Sequence, residues 1–209
     1  MPYLIGITGG SASGKTYLLR CLQEAIPSGK VTFISMDHYY KDIEYLPKGA
    51  DGRINFDHPE AIDHEKFYRD LKGLCAGLPA TQREYTFNSP NSASRLLIFE
   101  PAPILIVEGL FLFYWAPIRE LFDLRVFIEV DEPYRFLRRL HRDQKERGCA
   151  SEAVTHQYLT QVLPAYRQFV EPLRYFAHII IQNHWEGDLL PALRLLLDHI
   201  RNVLEKGGR

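Results

Sequence analysis

Short runs of apolar residues alternate along this chain with stretches whose apolar positions recur at the spacing of an amphipathic helix. The runs are Tyr3–Thr8, Val31–Ser35, Ile104–Val107, Val126–Val130 and His178–Ile181. The third is unbroken by any polar residue, as in strands buried on both faces. Between the runs, the spacing predicts helices over about 15–26, 59–74, 131–147, 151–175 and 189–204, the fourth broken near Pro164 and Pro172. Asp131 is the expected cap of the third helix, with Pro133 tolerated in its first turn. Segments 82–87 and 95–99 flank the polar turn Asn88-Ser89-Pro90-Asn91-Ser92 and are expected to pair as a hairpin. Strands alternating with helices predict an α/β fold: a parallel five-stranded sheet with helices on both faces. The expected organisation is a single domain over residues 1–209, with a hairpin insertion at about 80–99 and a helical lid at about 138–165. In such sheets ligands bind beyond the carboxyl ends of the strands. Chemistry is therefore expected just after Thr8, Ser35, Val107, Val130 and Ile181.

Composition narrows the partners. The 209 residues are 46% hydrophobic and 24% charged, an ordinary globular balance with enough chain for a buried core. Lys plus Arg is 25 and Asp plus Glu is 26, a formal net charge of -1. That balance argues against a general nucleic-acid or membrane-surface binder. No apolar run approaches the ~20 residues of a membrane span. The N-terminus lacks a basic region before its apolar run, so no signal peptide is expected and the protein reads as cytoplasmic. Cys21, Cys75 and Cys149 are dispersed and odd in number, with no metal spacing. They read as two core thiols and one loop thiol in a reducing compartment.

The first strand runs into Gly9-Gly10-Ser11-Ala12-Ser13-Gly14-Lys15-Thr16, which fits G-x-x-x-x-G-K-[ST], the phosphate loop of the P-loop NTPase fold. Glycines let the backbone approach an anion, and successive N–H groups at a helix N-terminus cradle it. Lys15 can reach the β- and γ-phosphates of ATP, and Thr16 can place its hydroxyl on Mg²⁺. A plain Gly/Ser turn before a helix is the bland alternative. Asp37 follows the second strand, where a carboxylate can orient an acceptor hydroxyl and take its proton; an ordinary turn cap is the other reading. Glu108 follows the third apolar run, the Walker B arrangement that helps hold Mg²⁺, or else caps the next helix. Positions 135, 138, 139 and 142 share one side of a helix. Their arginines form either a lid that closes over triphosphate or a solvated face.

These motifs together resemble the uridine/cytidine kinase family. The resemblance rests on Gly6 to Thr16, on Ile34-Ser35-Met36-Asp37-His38-Tyr39-Tyr40, and on Asn55-Phe56-Asp57-His58-Pro59-Glu60-Ala61. It continues through Val107-Glu108-Gly109, Arg138-Arg139, Arg142-Asp143 and Glu146-Arg147-Gly148. It implies transfer of the ATP γ-phosphoryl group to the 5′-hydroxyl of uridine or cytidine, with Mg²⁺. The residue matching Asp37 is then the base. Asp57 matches a carboxylate on the ribose hydroxyls, Tyr40 a pocket tyrosine, and Tyr85 and Phe87 hairpin aromatics that enclose the base. Arg139 and Arg142 match arginines around the ribose and the phosphates. Arg147 stands on the ATP side, and Gln157 matches a further nucleoside contact. The resemblance also implies a homo-oligomer, tetramer or dimer.

The chain departs from that family's pattern at its base-reading end. The family's hairpin reads Tyr-Asp-Phe/Tyr followed by a His. Here Thr86 replaces the Asp and no His is present, while Cys149 replaces an arginine. A site that hydrogen-bonds its substrate draws discrimination from such groups. Two alternatives therefore stand beside a nucleoside kinase: a kinase of the same superfamily acting on another alcohol, such as a sugar phosphate or pantothenate-like molecule, and a nucleotide-binding regulator without turnover. Asn183, His184 and Trp185 are candidates for the adenine by position alone.

Overall fold

A computed structural model describes residues 1–49, 52–85, 95–185 and 188–207. All five predicted strands lie in one parallel sheet, in the order β2 (Val31–Ser35), β5 (Ile104–Glu108), β1 (Tyr3–Gly9), β6 (Leu124–Glu129) and β7 (Ile179–Gln182). The interior strand β5 is buried along its whole length, as its unbroken apolar run requires. Alternate side chains divide the core between the two faces. Ile5, Ile7, Ile104, Ile106, Val126 and Ile128 meet α1 (Lys15–Ala25) and α7 (Leu189–Glu205) through Leu18, Leu22, Leu196 and Ile200. Leu4, Leu105, Val107 and Phe127 meet Phe67 and Leu71 of α2 (His64–Cys75), with Phe111, Phe113 and Phe122, and with Ile118 of the short α3 (Ala116–Arg119). Among the described residues, no helix is long and apolar enough to cross a membrane.

Several predicted boundaries shift. The hairpin is β3 (Ala80–Arg83) against β4 (Leu96–Phe99), starting earlier than expected, so Tyr85 lies beyond the strand. Thr86, Phe87 and the rest of the 86–94 turn lie outside the described residues. The predicted helix at 59–74 is two elements. His58 caps a short 3₁₀ turn, Pro59–Ala61, by accepting from the Glu60 N–H. Asp63 then starts α2 by accepting from the Lys66 N–H at 3.0 Å. Asp131 stands at the N-cap of α4 (Glu132–Arg147) but makes no capping bond there; its carboxylate faces His184 at 3.3 Å. Pro164 does not break its helix. The chain runs from α5 (Ser151–Gln157) through a π turn, Tyr158–Val162, a short α6 (Leu163–Ala165) and a second π turn, Tyr166–Val170. Pro172 opens the 3₁₀ turn Glu171–Phe176, which ends the segment. The cysteines also differ from expectation, since Cys21 and Cys75 are only half-buried, like Cys149.

Parallel register brings the strand ends to one level. Glu108 stands opposite Ile7 of β1 and Ser35 of β2. The Thr8 hydroxyl donates to the Gly109 and Leu110 carbonyls at 2.8 and 3.0 Å, fixing the exit from β5 beside the exit from β1.

Candidate active site

β1 ends in the predicted phosphate loop. Gly9 has φ +152°, and a Cβ there would lie 2.4 Å from the Ile128 carbonyl oxygen, so only glycine fits. Gly14, at φ 101°, opens α1 with no side-chain cap and no acidic residue in the first turn. The helix therefore presents uncapped N–H groups, which attract an anion. Asn183, at the end of β7, donates from Nδ2 to the Ser13 carbonyl at 2.8 Å, and Arg138 donates to the Asn183 and His184 carbonyls at 2.9 and 3.2 Å. Arg138 and Asn183 thus brace the loop from behind. Trp185 packs edge-on against Tyr134. None of residues 183–185 lines the cleft.

A cleft of about 840 Å³ runs from this loop to Tyr40, Phe56 and Asp57. Ser11 to Thr16, Asp37, Tyr40, Asp57, Glu108, Arg139, Arg142, Arg147 and Gln157 all line it, so sequence-selected residues from six separate segments converge. Lys15 Nζ is folded back on its own loop, donating to the Gly9 and Gly10 carbonyls at 3.0 Å each. Burial lowers its pKa. Ser35 donates to Glu108 Oε1 at 2.6 Å and accepts from the Asp37 N–H at 3.2 Å. Burial pushes Asp37 up, and pushes Glu108 up to about 7 with a further contribution from the Asp37 charge.

The acidic floor bears on a metal. Among the described residues, no three His, Cys, Asp or Glu side chains gather into a cage. Mg²⁺ rarely needs one; it is usually held by one or two carboxylates and substrate phosphates. Glu108 and the exposed Thr16 hydroxyl, with Asp37 near, match that donor set. Two neighbouring buried carboxylates pushed up together are also what a bound cation would relieve.

The far end of the cleft is aromatic and acidic. Tyr40 donates its hydroxyl to the Phe56 carbonyl at 3.1 Å, leaving its ring to the pocket. Its ring centroid lies 5.7 Å from Phe56 and 5.1 Å from Tyr85. Asp57 is buried, its N–H held by Asn55 Oδ1 at 3.0 Å. Arg139 donates to Ser11 Oγ at 2.9 Å and to Gln157 Oε1 at 3.3 Å, and stands 3.7 Å from Asp57. One guanidinium therefore touches the phosphate loop, the Asp57 carboxylate and Gln157 of α5.

Asp143 was not singled out by sequence reasoning. It is 2% exposed and receives Arg142 at 2.8 Å, Arg139 at 3.3 Å and Arg147 at 3.4 Å. The signal was present as spacing, since Arg139 and Arg147 lie one helical turn before and after it. Phe56 and Ser35 were also passed over as side chains with a role. With positive side chains on one wall and carboxylates at the floor, the cleft can hold a polyphosphate against a hydroxyl-bearing acceptor.

Comparison with known proteins agrees with this geometry. Residues 4–189 match the family model described as phosphoribulokinase / uridine kinase family. The chain is similar to the uridine kinase of Chloroflexus aurantiacus, 37% identical over 204 residues covering 98% of this chain and 97% of that protein. It is also similar to the uridine kinase of Deinococcus deserti, 36% identical over 203 residues covering 97% of each. The solved phosphoribulokinase of Rhodobacter spheroides shares the fold, with a TM-score of 0.63 at 20% identity over 87% of this chain and 70% of that one.

Proposed function

The chain belongs to the phosphoribulokinase / uridine kinase family, and from that premise we propose that it moves the γ-phosphoryl group of ATP to the 5′-hydroxyl of uridine or cytidine. The observation that carries the acceptor class is the state of Arg139. Its charge is already met by Asp57 and Asp143, and Arg142 and Arg147 also turn to Asp143. Tyr40, Phe56 and Tyr85 offer flat faces beside the Asp57 carboxylate. A neutral acceptor with ribose hydroxyls and an aromatic ring suits that lining better than a phosphorylated sugar does.

In the reaction, the 5′-oxygen forms a bond to the γ-phosphorus as the bond from that phosphorus to the β–γ bridging oxygen breaks. ADP leaves, and the hydroxyl proton passes to Asp37. A carboxylate raised by burial is a better proton acceptor than a free one. Lys15 leaves the Gly9 and Gly10 carbonyls for the β- and γ-phosphates. Arg142 and Arg147, held by Asp143, meet charge developing on the transferred group, and lid closure excludes water. Mg²⁺, held by Glu108 and Thr16 with the phosphates, supplies charge neutralisation when bound. Asp57 and Gln157 orient the ribose. The reading includes a cytoplasmic homo-oligomer, tetramer or dimer, working in pyrimidine salvage.

The test is a substrate panel with ATP consumption as readout and product identified by chromatography. Uridine and cytidine should give their monophosphates, while ribulose 5-phosphate and pantothenate should not react. Turnover of a sugar phosphate or pantothenate without any nucleoside turnover would overturn the acceptor assignment. ATP binding with no turnover of any alcohol would make the protein a regulator instead.

A further inference from the structure

The mechanism above uses neither Arg135 nor Arg138 of the α4 row; Arg138 braces the loop through the carbonyls after β7, whereas the surroundings of Arg135 are unusual for a cation. It is 3% exposed, yet no carboxylate among the described residues forms an ion pair with it. Its Nε donates to the Val130 carbonyl at 3.0 Å, and its guanidinium carbon lies 3.4 Å from the centre of the Tyr166 ring. The backbone of the phosphate loop passes over the same group. A Cβ on Gly10 would lie 2.8 Å from Arg135 Nη1 and 3.0 Å from the Tyr166 ring. The missing side chain at position 10 is thus what lets the loop and the guanidinium meet.

Burying a charge is costly unless it is compensated. A carbonyl and an aromatic face compensate it only in part. The full opposite charge has to come from elsewhere, and on the proposed function the anion available is the nucleotide polyphosphate at the Ser11 to Thr16 stretch, next to Gly10, that lines the cleft. We propose that Arg135 is a positioning residue for the nucleotide phosphates, a fixed positive charge behind the loop that is balanced only when a polyphosphate is bound. It acts through the Gly10 backbone rather than by touching the ligand. Tyr166 belongs to the second π turn of the segment descending from the lid, so the same contact ties that segment to the loop.

The role predicts an unusual pair of effects. Arg135→Met keeps most of the packing volume and removes the charge. Without ligand, its melting temperature should equal or exceed that of the parent, because an uncompensated buried cation has been removed. Its dissociation constant for inorganic tripolyphosphate, read by calorimetry, should rise about five- to tenfold, the scale of one partly buried charge acting on an anion without direct contact. KM for ATP should rise in step while KM for the acceptor stays unchanged. Arg135→Lys, which keeps the charge, should recover most of the tripolyphosphate affinity. Unchanged tripolyphosphate affinity in Arg135→Met overturns the proposal. So does an Arg135→Lys variant as weak as Arg135→Met, because packing rather than charge would then be responsible. If Arg135→Met does not fold, Arg135→Gln, which keeps a donor for the Val130 carbonyl, takes its place in the same titration with the same deciding outcomes. Tripolyphosphate binding does not depend on which alcohol is the acceptor, so this result stands apart from the substrate panel.

Discussion

Replacing Glu108 by Gln should change how the stability of the ligand-free protein depends on pH. Glu108 is 3% exposed, and its carboxyl is raised from 4.5 to about 7, first by burial and then by the Asp37 charge. The folded state therefore binds a proton more tightly than the unfolded chain does. Its contribution to stability is fully present below the unfolded value and is lost as pH rises through the folded value. From 4.5 to about 7, that loss amounts to about 3 kcal/mol, a large share of the ~5–15 kcal/mol that holds a typical domain together. Glutamine has no such proton to lose and still offers an oxygen to the Ser35 hydroxyl, which now donates to Glu108 at 2.6 Å. Urea unfolding followed by circular dichroism, from about pH 4.5 to about pH 8, should show the parent losing stability with rising pH relative to Glu108→Gln, by about 3 kcal/mol across the range. Mg²⁺ with nucleotide should flatten the parent profile, since a cation favours the ionised carboxylate. Parallel profiles for the two proteins would mean that Glu108 is not held protonated by the fold, and the reasoning would fail.

Asp37→Asn should lower turnover by about 10²-fold or more while leaving ATP affinity near the parent value, as expected for a positioned base; single-turnover kinetics with a separate nucleotide titration checks both halves. Asp143→Asn should release Arg139, Arg142 and Arg147 from their shared carboxylate and leave a weaker hydrogen-bond acceptor among three guanidinium groups. It should destabilise the fold by about 3 kcal/mol, the scale of breaking a buried ion pair, with a rise in acceptor KM, measurable by thermal unfolding and steady-state kinetics.

The sheet was legible because each of its strands is a short apolar run and the runs are separated by helical spacing. The phosphate loop was legible because its chemistry is local: eight consecutive residues carry the glycines, the lysine and the hydroxyl. Asp37 and Glu108 followed from the rule that ligands gather at strand ends, and register brings two of those ends level by setting Glu108 opposite Ser35. Pairings across the fold were less visible. That Arg138 would serve the carbonyls after β7, and Arg139 the loop and Asp57, depends on where α4 lies against the rest of the fold. Neighbouring arginines on one helix look alike in one dimension. Asp131 reads as a cap in sequence because nothing local announces His184, which competes for its carboxylate. The π turns were hidden for a similar reason. Proline marks a disturbance in a helix, but whether the chain breaks or widens depends on the packing around Val162, Leu163 and Val170.

Those two wide turns bear on how chain length can vary among relatives. A π turn encloses one residue more than an α turn for nearly the same advance along the axis. Each of Tyr158–Val162 and Tyr166–Val170 thus stores one surplus position. Losing a residue from either turn lets it relax to α geometry while the flanking side chains keep their directions. Gaps in an alignment of relatives should therefore gather between Gln157 and Glu171. They should be absent from α4, where one deletion would turn Arg139, Asp143 and Arg147 about a hundred degrees away from the cleft.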